Sequence, residues 1–372
     1  MTQDVSLHRQ AFIYNGSINA NTGKLEALIT EFLTLNRGNN RPLLLRFTSS
    51  AGVPEQIFGL CGIIRQVQVE GHAVQVHILG QLSGFTYMLA AVADKITMEP
   101  TASLTFSPMK VKTEGPISKM KSHVAYQKQL FAKLVSAIVT RSKGKLTEET
   151  VRSWRGKHLT PRQALTLGLC DEVREMPAGP IAKGTKPEHI LRVNGSFAKD
   201  DNYIYDLQIS LHNWLEDDKN SGQALKVYLT SWGGTVVQAL SFYGQLCEAQ
   251  RMGHHVTIQV VGQAYSCALW LPTCALGAGT VLIDPLAMFM FHQPSSALEC
   301  DIDVADDQLS IEESIYRQTC GLLSLAPGFT PEVLAQWEQK PSDHYLTAQE
   351  VVELGLGKLV EFTGAAVSEQ TA

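Results

Sequence analysis

Ser266, His292 and Asp343 are the residues of this 372-residue chain whose types and settings could together do acyl-transfer chemistry. Ser266 follows the strand-like run VTIQVVGQAY and opens a helix-like stretch, a position where backbone N–H groups gather and a hydroxyl projects freely. His292 ends the apolar run AMFMF, and the Gln-Pro that follows it fixes the chain, which suits a base that must hold one orientation. Asp343 lies in the polar turn PSD just before the helix-like TAQEVVELG, where a carboxylate can steer an imidazole. Gly233 and Gly234 follow the strand KVYLTS, and the N–H of Gly234 with that of Cys267 would supply the two donors that an oxyanion needs. Each feature has an ordinary structural use when taken singly: a helix cap, a buried histidine, a turn carboxylate, a tight turn.

The elements that must position these residues alternate β-branched runs with longer helical ones. LLLRF is followed by a helix through IFGLCGIIRQVQ, then VQVHIL, then a helix over FTYMLAAVA. This βαβ punctuation predicts an α/β fold with mostly parallel sheets and right-handed crossover helices.

The same pattern is written twice. LLLRFTSSAGVPEQIFGLCGIIRQ lines up with LKVYLTSWGGTVVQALSFYGQLCEAQ 182 residues later, Leu43 falling on Leu225. VQVHILGQLSGFTYMLA then falls on VTIQVVGQAYSCALWLP and ITMEPTASLTFSP on LIDPLAMFMFHQ, in a register read as free of gaps. EETVRSWRGKHLTPRQALTLGLCDEV matches PEVLAQWEQKPSDHYLTAQEVVELGLGKLV if the first copy is about four residues shorter between Trp154 and Leu159. The expected division is a first domain over 1–176, a Pro- and Gly-containing linker over 177–189, and a second domain over 190–372.

TSWGGTV, GQAYSCALWL, MFHQP and SDHYLTAQEVVELGLGKLV, in this order and spacing, resemble the signatures of the Clp protease proteolytic subunit across nearly the whole second copy. The resemblance implies a crotonase-like fold in each copy. It also implies a serine endopeptidase acting on peptides or unfolded polypeptides, with Ser266 as nucleophile, His292 as general base and acid, Asp343 as the orienting acid, and Gly234 and Cys267 as oxyanion donors. It further implies a homo-oligomer of stacked rings and an AAA+ unfoldase ATPase as partner, the chain having no GxxxxGK[ST] loop of its own. Trp232, Tyr265 and Cys267 depart from the family's usual proline, small residue and methionine; Trp232 and Tyr265 are expected to reshape the substrate groove.

In the first copy Gly84 takes the nucleophile position, Ser107 the histidine position, and the acid-bearing segment is the shortened one, while Gly52 survives from the oxyanion turn. Ser83 sits one residue early, about 100° away around a helix start. This copy reads as a pseudo-protease domain kept for assembly. Its segment from Lys112 to Val139 is basic where the second copy's counterpart, with Asp303, Asp306 and Asp307, is acidic.

A net charge of −5 without a basic stripe excludes a large nucleic-acid face, and 44% hydrophobic with 18% charged residues is the composition of a folded protein. No signal-like start or long apolar stretch occurs, which leads to the expectation of a cytoplasmic protein that does not enter a membrane. The seven cysteines form no CxxC pair, so free thiols are expected and neither metal nor cofactor. Three other readings compete. A serine-lysine peptidase resembling signal peptide peptidase A would draw its base from Lys110, Lys112, Lys119 or Lys121. A crotonase-like enzyme would hold a thioester enolate with its paired donors. A non-catalytic scaffold would carry a misplaced triad.

Overall fold

A computed structural model describes residues 11–18, 23–36, 38–106, 117–154, 156–176, 179–197, 202–293, 305–339 and 343–360. Two seven-stranded sheets, each with its own apolar core, account for the architecture.

The first sheet comprises β1 (Ala11–Asn15), β2 (Leu43–Ser49), β3 (Val74–Ser83), β4 (Lys95–Met98), β5 (Ser103–Phe106), β6 (Lys157–Leu159) and β7 (Glu172–Val173). Its path is β1-β2-β3-β4-β7, with β5 paired to β3 and β6 to β5. Helices α1 (Gly23–Leu35), α2 (Pro54–Val69), α3 (Tyr87–Ala91), α4 (Ile117–Arg141), α5 (Glu148–Arg152) and α6 (Pro161–Thr166) connect them. The second sheet comprises β8 (His189–Phe197), β9 (Leu225–Gly234), β10 (Val256–Tyr265), β11 (Thr280–Ile283), β12 (Met288–Phe291), β13 (His344–Thr347) and β14 (Lys358–Leu359). It repeats the arrangement as β8-β9-β10-β11-β14, with β12 paired to β10 and β13 to β12. Its helices are α7 (Asn202–Leu215), α8 (Val236–Arg251), α9 (Ala305–Leu323), α10 (Pro331–Glu338) and α11 (Ala348–Glu353). Only β6 and β13 run antiparallel to their neighbours, so both sheets are mostly parallel, as the βαβ pattern predicts.

Local sequence explains the crossover helices. In α2, Pro54 starts the helix where a missing N–H costs nothing, and Ile57, Leu60, Cys61, Ile64 and Val67 recur at helical spacing to form its buried face. Helix α8 differs: residues from Ala239 to Gln250 are all buried, because it packs in the second core and also against β3 of the first sheet. A Cβ on Gly244 would lie 3.1 Å from the Leu79 carbonyl oxygen, so glycine permits this approach.

Two sequence expectations need correction. The ungapped register fails after the strand pair β3/β10: Val76 pairs with Ile96, but Ile258 pairs with Val281, a shift three residues larger. The extra residues lie where the first sheet has α3 and the second has two 3₁₀ turns, Ser266–Ala268 and Leu271–Ala275. The helix expected to open at Ser266 is thus only a short 3₁₀ turn; Pro272 lacks the N–H that an α-helix would need there.

The two sheets meet through buried charge. Arg46 on β2 bonds Glu216 and Glu248, each at 2.9 Å, and donates to His212 Nδ1 at 2.8 Å, while His212 Nε2 donates to the Ala11 carbonyl at 2.9 Å. Arg174 also reaches Glu248 at 3.1 Å, and Arg251 pairs with Glu99. Burial pushes the Glu248 carboxyl up, but Arg46, His77 and Arg174 overcome that and hold it at about 2. His212 is driven down to about 4 by burial and by Arg46.

Candidate active site

Strand registers explain why three residues so far apart in sequence converge. Tyr265 at the end of β10 pairs with Met290 on β12, so Ser266 and His292, the next residues past these strand ends, become neighbours. The antiparallel pair Phe291↔His344 then brings Asp343, just before β13, beside His292. His292 Nε2 lies 2.7 Å from Ser266 Oγ, and its Nδ1 stands 3.7 Å from Asp343 Oδ1. With a carboxylate facing Nδ1, the imidazole carries its proton there and offers Nε2 as acceptor for the serine hydroxyl.

Ser266 has φ +55°, a left-handed backbone that only one other described non-glycine residue, Lys143, shares. Such a conformation costs a serine roughly 1–2 kcal/mol and is retained where the surroundings impose it. The imposing neighbour is Gly233: a Cβ added there would fall 2.6 Å from Ser266 Cβ. Gly233 therefore faces Ser266 more directly than the sequence indicated, while Trp232 is 63% exposed. The Gly233 carbonyl accepts from Ser196 Oγ at 3.1 Å, and Gly234 presses on the Phe197 backbone, where a Cβ would approach to 2.7 Å. Cys267 is buried with its thiol pushed up to about 12 by burial, and it reaches the Gly234 carbonyl at 3.6 Å. The site thus holds a hydroxyl, an imidazole, a carboxylate and a glycine-lined turn.

An aromatic floor supports the imidazole and the acid. Phe291 packs against Trp337 with ring centroids 5.5 Å apart, and Trp337 stacks on His344 at 4.2 Å. Tyr316 hydroxyl donates to Glu338 at 2.5 Å beside the same cluster. Tyr345 hydroxyl donates to Asp343 at 3.4 Å, and its ring meets Tyr265 edge-on at 5.9 Å. Ser196 and Trp337 escaped sequence reading, although the repeated NGS and the tryptophan before SDH marked their segments.

The first sheet keeps the frame without the groups. Gly84 has φ +53° at the counterpart of Ser266, and Gly156 precedes Lys157 as Asp343 precedes His344 in the matching antiparallel pair. Ser107, expected at the histidine position, lies outside the described residues, as do Lys110 and Lys112. Among the described residues no group of His, Cys, Asp and Glu is arranged to hold a metal, and no helix is long and apolar enough to cross a membrane. Cys61, Cys170, Cys247, Cys267, Cys274 and Cys320 are free thiols.

A comparison with curated proteins finds no match. Residues 204–362, which contain Ser266, His292 and Asp343, match the Clp protease family model. This segment, from α7 to the end of the second sheet, is similar to the Clp proteases.

Proposed function

We propose that the chain is a cytoplasmic serine endopeptidase cleaving peptides or unfolded polypeptides, with Ser266, His292 and Asp343 as its catalytic triad. The observation that carries this reading is the 2.7 Å contact between His292 Nε2 and the hydroxyl of a serine held at φ +55°. In the proposed reaction Ser266 Oγ attacks the scissile carbonyl while His292 Nε2 takes its proton. The oxyanion that forms accepts hydrogen bonds from the N–H groups of Gly234 and Cys267. His292 then protonates the leaving amine, and water repeats the sequence in reverse to release the acyl group. Asp343 holds the tautomer and balances the transient imidazolium. A serine-lysine mechanism needs a lysine at Ser266, whereas the group bonded to its hydroxyl is an imidazole.

The first domain, in this reading, is a pseudo-protease retained for assembly. Support comes from the repeated strand order, from Gly84 and Gly156 at the nucleophile and acid positions, and from α8, which docks on the outer face of β2 and β3. In the second sheet Trp232, Val261 and Met288 are exposed, and α2 exposes Val69. A head-to-tail ring of chains would cover both. An AAA+ unfoldase that feeds this ring belongs to the same proposal.

Intact mass after fluorophosphonate treatment tests the chemistry. One adduct per chain, lost in Ser266→Ala and in His292→Ala, is the expected outcome. No adduct on folded, assembled protein would overturn the triad, and an adduct persisting without His292 would move the assignment to a lysine base.

A further inference from the structure

A polar crevice of about 380 Å³ lies where the first domain's shortened turn meets α9 of the second domain. The second domain carries Asp343 at the matching register position; the first has Gly156, and the four-residue deficit leaves open space. Trp154, Lys157 and His158 line one side, Ser310 and Ser314 the other.

The lining is built from hydrogen-bond donors. Buried Gln81 donates its amide to Thr105 Oγ1 at 2.7 Å, and the Thr105 hydroxyl lies 3.3 Å from His158 Nδ1. With the Thr105 hydroxyl proton directed at Nδ1, His158 carries its own proton on Nε2, an N–H with no partner among the described residues. Burial drives the His158 pKa down to about 4, so the ring stays a neutral donor. Ser310 and Ser314 are four residues apart and thus share one face of α9, and no internal hydrogen bond engages either hydroxyl among the described residues. No acid pairs with Lys157 among the described residues either. In the second domain the residues matching Thr105 and His158 are Met290 and Tyr345, so this donor relay is particular to the first domain.

We propose that this interdomain crevice is a binding site for a small oxyanion, phosphate or carboxylate, held by Lys157, the His158 Nε2–H and the Ser310 and Ser314 hydroxyls. Hydroxyl and imidazole donors, a lysine with no acid paired to it among the described residues, and space for a small molecule fit that chemistry. Since the two walls belong to different domains, a bound anion would bridge β6 to α9.

Calorimetric titration of the full chain with inorganic phosphate tests the site, with acetate as a second titrant and as a competitor. Saturable binding at one site per chain is expected, weakened about tenfold in Lys157→Met and measurably in the Ser310→Ala/Ser314→Ala double variant. Acetate displacing phosphate identifies a carboxylate-type site; failure to displace it identifies a phosphate site. Absence of saturable heat up to about 10 mM phosphate, or unchanged affinity in both variants with unchanged unfolding midpoints, would overturn the proposal.

Discussion

Gly84 and Ser266 hold the same left-handed backbone, φ +53° and +55°, at equivalent strand-to-turn junctions of the two sheets. Glycine adopts this conformation freely and serine does not, so the strain persists only in the domain where a hydroxyl stands at the junction. Ser266→Gly is therefore expected to abolish fluorophosphonate labelling while making the protein about 1 kcal/mol more stable than Ser266→Ala, as read by urea unfolding. Equal stability of the two variants would show that the junction is unstrained. Gly84→Ser should leave labelling at one adduct per chain, since no acid stands at Gly156.

The contacts of His292 to Ser266 and to Asp343, 2.7 and 3.7 Å, are unequal, and on the proposed mechanism the losses on removing them should follow. His292→Ala removes the base bonded to Ser266 and should lower kcat by about 10⁴ or more. Asp343→Asn acts through a 3.7 Å contact to a half-exposed carboxylate, and should cost less, about 10²-fold, with KM nearly unchanged. Peptide hydrolysis by the two variants under identical conditions decides whether the order holds.

Gly233 and Gly234 cannot accept side chains. Gly233→Ala would drive a methyl group to 2.6 Å from Ser266 Cβ, and Gly234→Ala one to 2.7 Å from the Phe197 backbone. Both should lower kcat by about 10²–10³-fold, the range for a lost oxyanion donor. Retention of wild-type kcat in a folded Gly234→Ala protein would remove this turn from the reaction.

Acid should loosen the junction between the sheets in two stages. His212 is held at about 4, below its ordinary 6.5, by burial and by the Arg46 charge at its Nδ1, which outweigh the raising effect of Glu216, of its Nε2–H bond to the Ala11 carbonyl and of Glu248. The unfolded chain therefore binds this proton first. Stability is full above about pH 6.5 and falls by up to about 3 kcal/mol as pH drops toward 4. Glu248, held at about 2, extends the decline from about pH 4.5 downward. Urea midpoints from pH 7 to 4 should show this slope in wild type and a flatter one in His212→Gln.

The duplicated strand order was legible because it rests on β-branched runs and turn residues, which are local signals. The convergence of Ser266, His292 and Asp343 was legible because their segments are compact and each sits at a strand end. The three-residue step before β11 was hidden, since Ala-rich and Leu-rich stretches match equally well as α-helix or as 3₁₀ turn, and only Pro272 argued otherwise. Ser196 behind Gly233 and Trp337 beneath His344 were out of reach because both act across distant chain segments. The junction was hidden for the same reason: Glu248 on α8 is buried against Arg46, a residue of β2 that lies about two hundred positions earlier in the chain.

That shared helix fixes more than geometry. On the proposed function, one catalytic serine and one hydroxyl-free counterpart would come from a single translation product, in equal number and in a set order. The proposed ring would then carry a catalytic centre at every second position, at a ratio that no change in expression level alters. A wall with half the density of cleavage points would release longer fragments, so the proposal makes average product length a property of the chain itself.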